Sequence, residues 1–272
     1  MEFKDQLSVE EQKKITLDIL IDFAKFCDEH GIRYFLAYGT LIGAVRHKGY
    51  IPWDDDIDLQ MPREDYNRLI EIYNKERNTP YYELVAPHDK KSRHSFVKII
   101  DTRTVKIEPG IDYSEGYLGI DIDIFPIDGM PGDDGEFDAW VAKLKKTYRS
   151  HVYCVIDSKK NIKRRLAVPI LRILSGGKEK VLNKADKMHA LYPYGECEYV
   201  GTMESSFNSP KNRVKKEYFD GYTMVQFEGY EFKAPSGYHE ILTNIFGDYM
   251  TPPADQTTHH TNKTYWIDKG EN

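Results

Sequence analysis

The chain has 272 residues, and its 38 lysines and arginines against 44 aspartates and glutamates leave a formal net charge of -6. That imbalance is too small for a protein that binds nucleic acid over its whole surface, so no nucleic-acid partner is expected. With 40% hydrophobic and 30% charged residues, the chain is neither disordered nor collagen-like. Its length predicts one catalytic core with an appended subdomain.

The cysteines and the first residues indicate the cellular compartment. Cys27, Cys154 and Cys197 lie far apart and form no Cys-x-x-Cys pair, which fits neither a zinc site nor a disulfide framework. The first residues lack the basic head and apolar stretch of a signal peptide, and no run of about 18 apolar residues occurs. We therefore expect a soluble, cytoplasmic protein.

The first third of the chain alternates helices and strands. Ser8 and Glu11 have the spacing of a capping box, which begins an amphipathic helix that Gly31 ends. The predicted elements that follow are a strand over 32–38, a glycine turn, a short helix over 41–47, a strand over 55–61 and a helix opened by Pro62.

The remaining pattern predicts an α+β fold with a mixed β-sheet core flanked by helices. Further strands are expected over 81–86, 96–101 and 118–125, helices from residue 134 and over 166–174 and 181–191, and a hairpin over 222–227 and 230–234. Ser236 is predicted to cap a last helix that ends at Gly247. The predicted organisation is a catalytic core (1–130), a mainly helical insert (131–215), and a C-terminal hairpin and helix that pack back on the core (216–272).

Two acidic runs carry the chemistry. Alternation along a strand places Asp56 and Asp58 on one face of the first run, and Asp121 and Asp123 on one face of the second. If the strands are neighbours, the carboxylates converge and repel one another, and a bound divalent cation, Mg²⁺ or Mn²⁺, is the simplest compensation. The alternative is that these acids decorate exposed strand edges or cap a turn.

A glycine-hydroxyl turn precedes the first acidic run. Gly39 allows close approach of a ligand to the backbone, and the Thr40 hydroxyl with free amides at a helix start is suited to hold a phosphate. A Gly-Thr turn followed by Asp-x-Asp and a later acid resembles the pattern of the nucleotidyltransferase superfamily.

A longer stretch makes the resemblance specific. Residues 38–58 read YGTLIGAVRHKGYIPWDDDID, which resembles the signature of the LicD family, related to the fukutin proteins. Two further matches are residues 96–101 together with 122–126, and residues 246–253. The resemblance implies a nucleotidyltransferase-like core and transfer of phosphocholine from CDP-choline to sugars of teichoic acid or lipopolysaccharide; relatives move other phospho-alcohols or phospho-sugars.

The same resemblance implies roles for the acids. It makes Asp56 and Asp58 metal ligands, and Asp123 a third ligand or the general base. Asp121 stands where the family often has a bulky apolar residue, and strand geometry alone does not separate it from Asp123 as the third carboxylate.

Basic and aromatic residues near the acids are candidates for binding the donor. Arg46 and Lys48 follow the phosphate-holding turn and are equally consistent with ordinary surface charges. Lys98, a lone lysine in an apolar strand, points either to solvent or into the site. Trp53, with Tyr38 and Tyr50, is a candidate cage for a quaternary ammonium, although aromatics in this position are more often part of the core.

Two features outside the core have functional and ordinary interpretations. The basic segment 159–165 leads into the apolar segment 166–174, which suits peripheral contact with the inner membrane face and a lipid-linked glycan acceptor, or is a charged loop before a packed helix. His259 and His260 follow the 246–253 motif, where the family often carries a histidine, but a solvated tail is the simpler interpretation.

Three other functions are compatible with Asp-x-Asp. A nucleotidyltransferase uses the same acids but releases pyrophosphate, and a non-catalytic module binds metal or glycan without turnover. A glycosyltransferase usually places a large nucleotide-binding half before this motif, and only 55 residues precede Asp56. The sequence argues against the glycosyltransferase.

Overall fold

The computed structural model describes residues 2–155, 162–203, 210–254, 256 and 262–268. His259, His260 and residues 159–161 of the predicted basic segment lie outside these ranges. The described helices are α1 (Val9–His30), α2 (Tyr38–Arg46), α3 (Arg63–Glu76), α4 (Asp134–Val155), α5 (Ile162–Ser175), α6 (Lys178–His189) and α7 (Tyr238–Phe246).

The strands of the central sheet are β2 (Phe35–Leu36), β3 (Asp58–Pro62), β4 (Tyr82–Val85), β5 (Val97–Asp101), β7 (Asp121–Met130), β8 (Tyr199–Gly201) and β9 (Val214–Lys215). The main order is β2-β3-β7-β5-β4, with β8 paired to the C-terminal end of β7 and β9 beside β8. β3 runs parallel to β7, and the other pairs are antiparallel. The predicted α+β class with a mixed sheet is confirmed.

Helix α1 shows how the sequence builds the core. Ser8 and Glu11 form the predicted capping box, and Gly31, at φ 62°, ends the helix in the left-handed conformation that favours glycine. Between them, Ile19 and Phe23 are fully buried in the main core, which also includes the apolar faces of β3, β5 and β7. Burial of such a side chain is worth roughly 1.5–3 kcal/mol.

The insert has its own apolar cluster. Phe137, Trp140 and Leu144 on α4 pack with Met130 at the end of β7 and with Met203. The chain then returns to the central sheet, because β8 pairs with β7 and β9 pairs with β8.

Two smaller sheets complete the structure. The predicted hairpin is present as β10 (Tyr222–Phe227) and β11 (Tyr230–Pro235). A three-stranded antiparallel sheet joins β1 (Glu2–Gln6), β12 (Lys263–Asp268) and β6 (Thr104–Ile107) in the order β1-β12-β6. The sequence did not predict this sheet, because its strands come from both ends and the middle of the chain.

Several predicted bounds were wrong. The strand predicted over 32–38 is reduced to β2, because α2 already begins at Tyr38 and takes in the expected turn. The strand predicted over 55–61 begins only at Asp58, so Asp56 lies in the preceding irregular segment. The strand predicted over 118–125 begins at Asp121 and continues to Met130, through Pro126.

Ser236 was wrongly predicted to cap the last helix. The cap position of α7 is Gly237, without a side-chain hydrogen bond, and the Ser236 hydroxyl instead donates to the Tyr218 carbonyl at 3.3 Å. The predicted end at Gly247 is confirmed.

Candidate active site

Three charged residues from adjacent strands form one row across the central sheet. Asp58 on β3 is in register with Asp123 on β7, and Asp123 is in register with Lys98 on β5. Side chains at paired positions share a face of a sheet, so the two acidic runs meet as the sequence predicted. The apolar neighbours, Leu59 and Ile124, are fully buried on the opposite face.

Lys98 supplies a cation inside the row. Its ammonium donates hydrogen bonds to both Asp121 and Asp123, and Lys106 of β6 donates to the other Asp121 oxygen at 2.7 Å. Burial alone would raise the pKa of Asp121, but Lys106 and Lys98 outweigh it and hold that pKa well below its usual range. Asp121 is therefore a fully ion-paired acid.

Asp123 is the more available of the two acids on β7. Its side chain keeps 22% of its surface exposed, whereas that of Asp121 keeps 2%. Burial raises the pKa of Asp123 to about 7; the Lys98 ammonium lowers it, and the Asp121 charge adds to the rise. A carboxylate with a pKa near neutrality is suited to accept a proton.

The remaining acids lie on the loop before β3. A cavity of about 130 Å³ is lined by Trp53, Asp54, Asp55, Asp56, Lys106 and Asp121, among others. Burial raises the pKa of Asp54 to about 7, and the charge of Asp56, with which it shares a hydrogen bond, adds to this. Burial, followed by the charges of Asp56 and Asp123, raises the pKa of Asp58.

The start of α2 positions these acids. The Asp58 amide donates to the Thr40 hydroxyl oxygen at 2.8 Å, which connects the predicted phosphate-holding turn to the acidic strand. A Cβ on Gly39 would lie 2.7 Å from Oδ2 of Asp54, so only glycine allows this carboxylate to approach the helix start. Gly39 and Thr40 therefore lie beside the acids, as predicted.

Tyr38 begins α2 in an unusual backbone conformation. Its φ of 46° is in the left-handed region, which costs a non-glycine residue on the order of 1–3 kcal/mol. Its hydroxyl accepts a hydrogen bond from Nε2 of Gln60 at 3.0 Å, and its ring contacts Phe125 edge-on, with 5.8 Å between ring centroids. Gln60 lies two residues after Asp58 on β3, and Phe125 lies two residues after Asp123 on β7. The two strands that carry the acids therefore also hold Tyr38 in its strained conformation.

Arg46 and Lys48 connect the signature loop to the C-terminal region. The Arg46 guanidinium donates to the Tyr249 carbonyl at 2.6 Å and lies 6.0 Å from the Trp53 ring centroid. Lys48, at φ 64°, accepts a backbone hydrogen bond from Glu228 in the hairpin turn at 2.9 Å. These contacts give both residues a structural role beside the predicted phosphate-binding one.

The three aromatics suggested as a cage make separate contacts. The Tyr50 ring packs against Phe227, and its hydroxyl lies 2.7 Å from that of Thr16, so Tyr50 belongs to the core region. Tyr38 contacts Phe125, whereas Trp53 lies at the acidic cavity beside Arg46. Trp53 is therefore the one of the three that lines the cavity.

The donor set is chemically suited to a hard divalent cation, but its arrangement is incomplete. Carboxylate oxygens are the preferred ligands of Mg²⁺ and Mn²⁺, and six aspartates of this site face two lysines, Lys98 and Lys106. Within the described residues, however, no group of three His, Cys, Asp or Glu side chains is arranged to hold a metal ion. Lys98 contacts Asp123 instead, so the three-ligand set stays a prediction.

Sequence reasoning missed two residues of this site. Asp54 lies outside the Asp-x-Asp alternation, so the sequence alone favours a capping or supporting role for it, yet it lines the cavity and shares a hydrogen bond with Asp56. The signal is Gly39, where only glycine leaves room for the Asp54 carboxylate. Lys106 was missed with β6, although Thr104 and Lys106 alternate with Val105 and Ile107 as a half-buried strand does.

Comparisons with known proteins agree with this geometry. Residues 31–154 match the sequence model of the LicD/FKTN/FKRP nucleotidyltransferase domain. The lipopolysaccharide cholinephosphotransferase LicD of Haemophilus influenzae is 32% identical over 269 residues, covering 96% of this chain and 98% of that protein. The human ribitol 5-phosphate transferase FKRP is 44% identical over 69 residues, 25% of this chain and 14% of its own length.

The match to the Haemophilus protein spans nearly the whole of both chains, and the domain match covers every element that builds the acidic row. The chain therefore belongs to the LicD family.

Proposed function

We propose that this chain is a phosphotransferase that moves phosphocholine, or a similar phospho-alcohol, from a CDP-linked donor to a sugar hydroxyl of a cell-surface glycan such as lipopolysaccharide or teichoic acid. The observation that carries the proposal is the Asp58–Asp123 pair, in register beside the Gly39–Thr40 turn. Near full-length similarity to a lipopolysaccharide cholinephosphotransferase supports the substrate class.

The cation is part of this proposal. Asp56, Asp58 and Asp123 would hold Mg²⁺ or Mn²⁺, and the ion would neutralise charge on the donor diphosphate. Because Lys98 contacts Asp123, we expect the Lys98 ammonium to move towards Asp121, which it also contacts, when the ion binds.

The residues of the chain divide the remaining tasks. The Gly39–Thr40 turn, with Arg46 and Lys48, positions the diphosphate, and Trp53 lines the cavity for the head group. As the alternative to its role as third ligand, Asp123 would accept the proton of the acceptor hydroxyl, for which its raised pKa suits it. That hydroxyl attacks the distal phosphorus, the bond to the CMP oxygen breaks, and CMP leaves.

The proposal includes a cellular location for the reaction. We place the reaction in the cytoplasm, at the inner face of the membrane, with an acceptor that includes lipid-linked glycans. Cys27 and Cys197 are free thiols, which agrees with a reducing compartment.

CMP release tests the reaction class. The protein is incubated with Mg²⁺ or Mn²⁺, a sugar acceptor, and CDP-choline, CDP-glycerol or CDP-ribitol in parallel. We expect acceptor-dependent CMP release that falls at least a hundredfold in Asp58→Asn and is unchanged in Asp138→Asn, a matched variant of an exposed acid on α4. Pyrophosphate release from CTP would instead support a nucleotidyltransferase, and cation or glycan binding without turnover would support a binding module.

A further inference from the structure

Positive charge is concentrated in the helical insert. Residues 139–191 contain 14 lysines and arginines against three aspartates and glutamates, within a chain of net charge -6. Such segregation gives the protein one strongly basic region on an otherwise acidic body, and a basic region attracts an anionic partner.

Helix α5 presents an apolar stripe to solvent. Leu166, Ile170, Ile173 and Leu174 are spaced i, i+4, i+7 and i+8, which puts them on one face, and they are 67%, 59%, 79% and 76% exposed. Val168, on the opposite face, is 2% exposed. The helix therefore packs through one side and leaves a second apolar side open, which marks an interaction surface.

A groove lined by lysines lies on the helices next to α5. Two adjoining cavities of about 660 and 510 Å³ share Lys184, Met188 and Leu191. Five lysines line them against two glutamates, Glu136 and Glu179; the lysines are Lys143, Lys146, Lys180, Lys184 and Lys187. In the part of the chain that the structure describes, no carboxylate forms an ion pair with any of these five ammonium groups. Leu191 at the groove is 60% exposed. The groove thus offers lysine ammonium groups beside apolar side chains.

We propose that the α5 stripe and the lysine groove dock this protein on the surface of an anionic phospholipid bilayer. The apolar side chains enter the boundary between headgroups and acyl chains, and the lysines bind lipid phosphates. Among the described helices, none is long and apolar enough to cross a membrane, and α5 has 14 residues, so the helix lies on the bilayer.

Charge complementarity favours a bilayer over a second copy of the chain. A symmetric dimer through this surface would bring the same basic patches together, which is repulsive. An anionic bilayer instead pairs with each lysine and repels the acidic remainder of the molecule, which orients the protein. The inference concerns the insert alone and does not rest on the proposed chemistry.

Vesicle cosedimentation tests the proposal with the full chain. We expect binding to vesicles of phosphatidylglycerol mixed with phosphatidylcholine and little binding to phosphatidylcholine alone. Neutralising Lys180, Lys184 and Lys187 together to Gln should weaken binding on the order of a hundredfold, since each lysine contributes about fivefold. Ile170→Ser with Ile173→Ser should weaken binding to the same vesicles at high salt, where electrostatic attraction is screened.

Matched variants separate this surface from general effects. Lys25→Gln, Lys75→Gln and Lys263→Gln together change the net charge equally at exposed positions elsewhere, and Met224→Ser alters an exposed apolar residue of β10. Both controls should bind like the unaltered protein. Three results would overturn the proposal. The first two are an equal loss of vesicle binding in the controls and equal binding to both vesicle types. The third is a dimer that Ile170→Ser with Ile173→Ser dissociates without any change in vesicle binding. CMP release with a soluble acceptor, measured in parallel, reports the chemistry separately.

Discussion

Replacing Lys98 by Met tests whether its ammonium is the internal counter-ion of the acidic row. The side chain is buried and donates to both Asp121 and Asp123, so its removal leaves two buried carboxylates with less compensation. Breaking a buried ion pair by removing one partner costs about 3–5 kcal/mol. We expect the free energy of unfolding of Lys98→Met to fall by about that amount at about pH 8.

The pH dependence of this loss follows from the two pKa values. The lysines hold the folded-state pKa of Asp121 low, and this stabilises the protein above the unfolded pKa of about 4. Without Lys98, the folded-state pKa values of Asp121 and Asp123 rise, so both acids are neutral in the folded variant at about pH 5. At about pH 8 they are charged without their counter-ion, so the stability of the variant falls as pH increases. The difference from the unaltered protein should therefore be larger at about pH 8 than at about pH 5.

Urea unfolding followed by circular dichroism measures the loss in free energy of unfolding and its dependence on pH. Lys91→Met is the matched control, because its 2.7 Å pair with Glu83 is partly exposed and should be worth at most about 1 kcal/mol. Added Mg²⁺ should restore part of the stability of Lys98→Met, since a cation can replace the ammonium. A loss within about 1 kcal/mol of the control, or the same loss at both pH values, would refute the reasoning.

Three further predictions concern other buried contacts. Burial, and then the charge of Arg63, lowers the pKa of His189 to about 3. The folded protein should therefore lose stability relative to His189→Asn as pH falls below the unfolded pKa of about 6.5. Urea unfolding should show a relative loss of roughly 2 kcal/mol in the free energy of unfolding between about pH 6.5 and 5. Gly39→Ala should displace Asp54 and reduce CMP release at least about tenfold, while the free energy of unfolding changes by less than about 1 kcal/mol; full activity would contradict the close approach. Arg63→Met removes both hydrogen bonds to Asp128, at 2.7 and 2.6 Å, and should cost about 3–5 kcal/mol in urea unfolding, with a smaller loss arguing that the pair is dispensable.

The acidic row was predictable because strand alternation fixes which side chains share a face. Asp121 and Asp123 lie on one strand as expected, and Asp58 meets Asp123 across a parallel pair. The placement of Asp56 was not predictable from alternation, since the Asp58 amide bonds Thr40 and the segment before it is irregular. That contact joins residues 18 positions apart, and a local pattern does not reveal it.

The lysines of the site depend on long-range pairing. Lys106 reaches Asp121 from β6, whose partner β12 lies near the C-terminus, so neither its strand nor its target follows from neighbouring residues. Lys98 presented two options, solvent or site, and only the register of β5 against β7 selects the site. The helices and the hairpin, in contrast, can be predicted from local spacing and turn residues.

The contacts of Arg46 with Tyr249 and of Lys48 with Glu228 have a consequence for experiments on fragments. These hydrogen bonds connect the loop between α2 and the acids to segments about 180–200 positions further along the chain. A fragment cut to residues 31–154 would lose both hydrogen bonds, and we expect its loop to be less well held beside the acids. We therefore expect turnover to depend on the C-terminal segments, so truncated chains should be tested for activity as well as for folding.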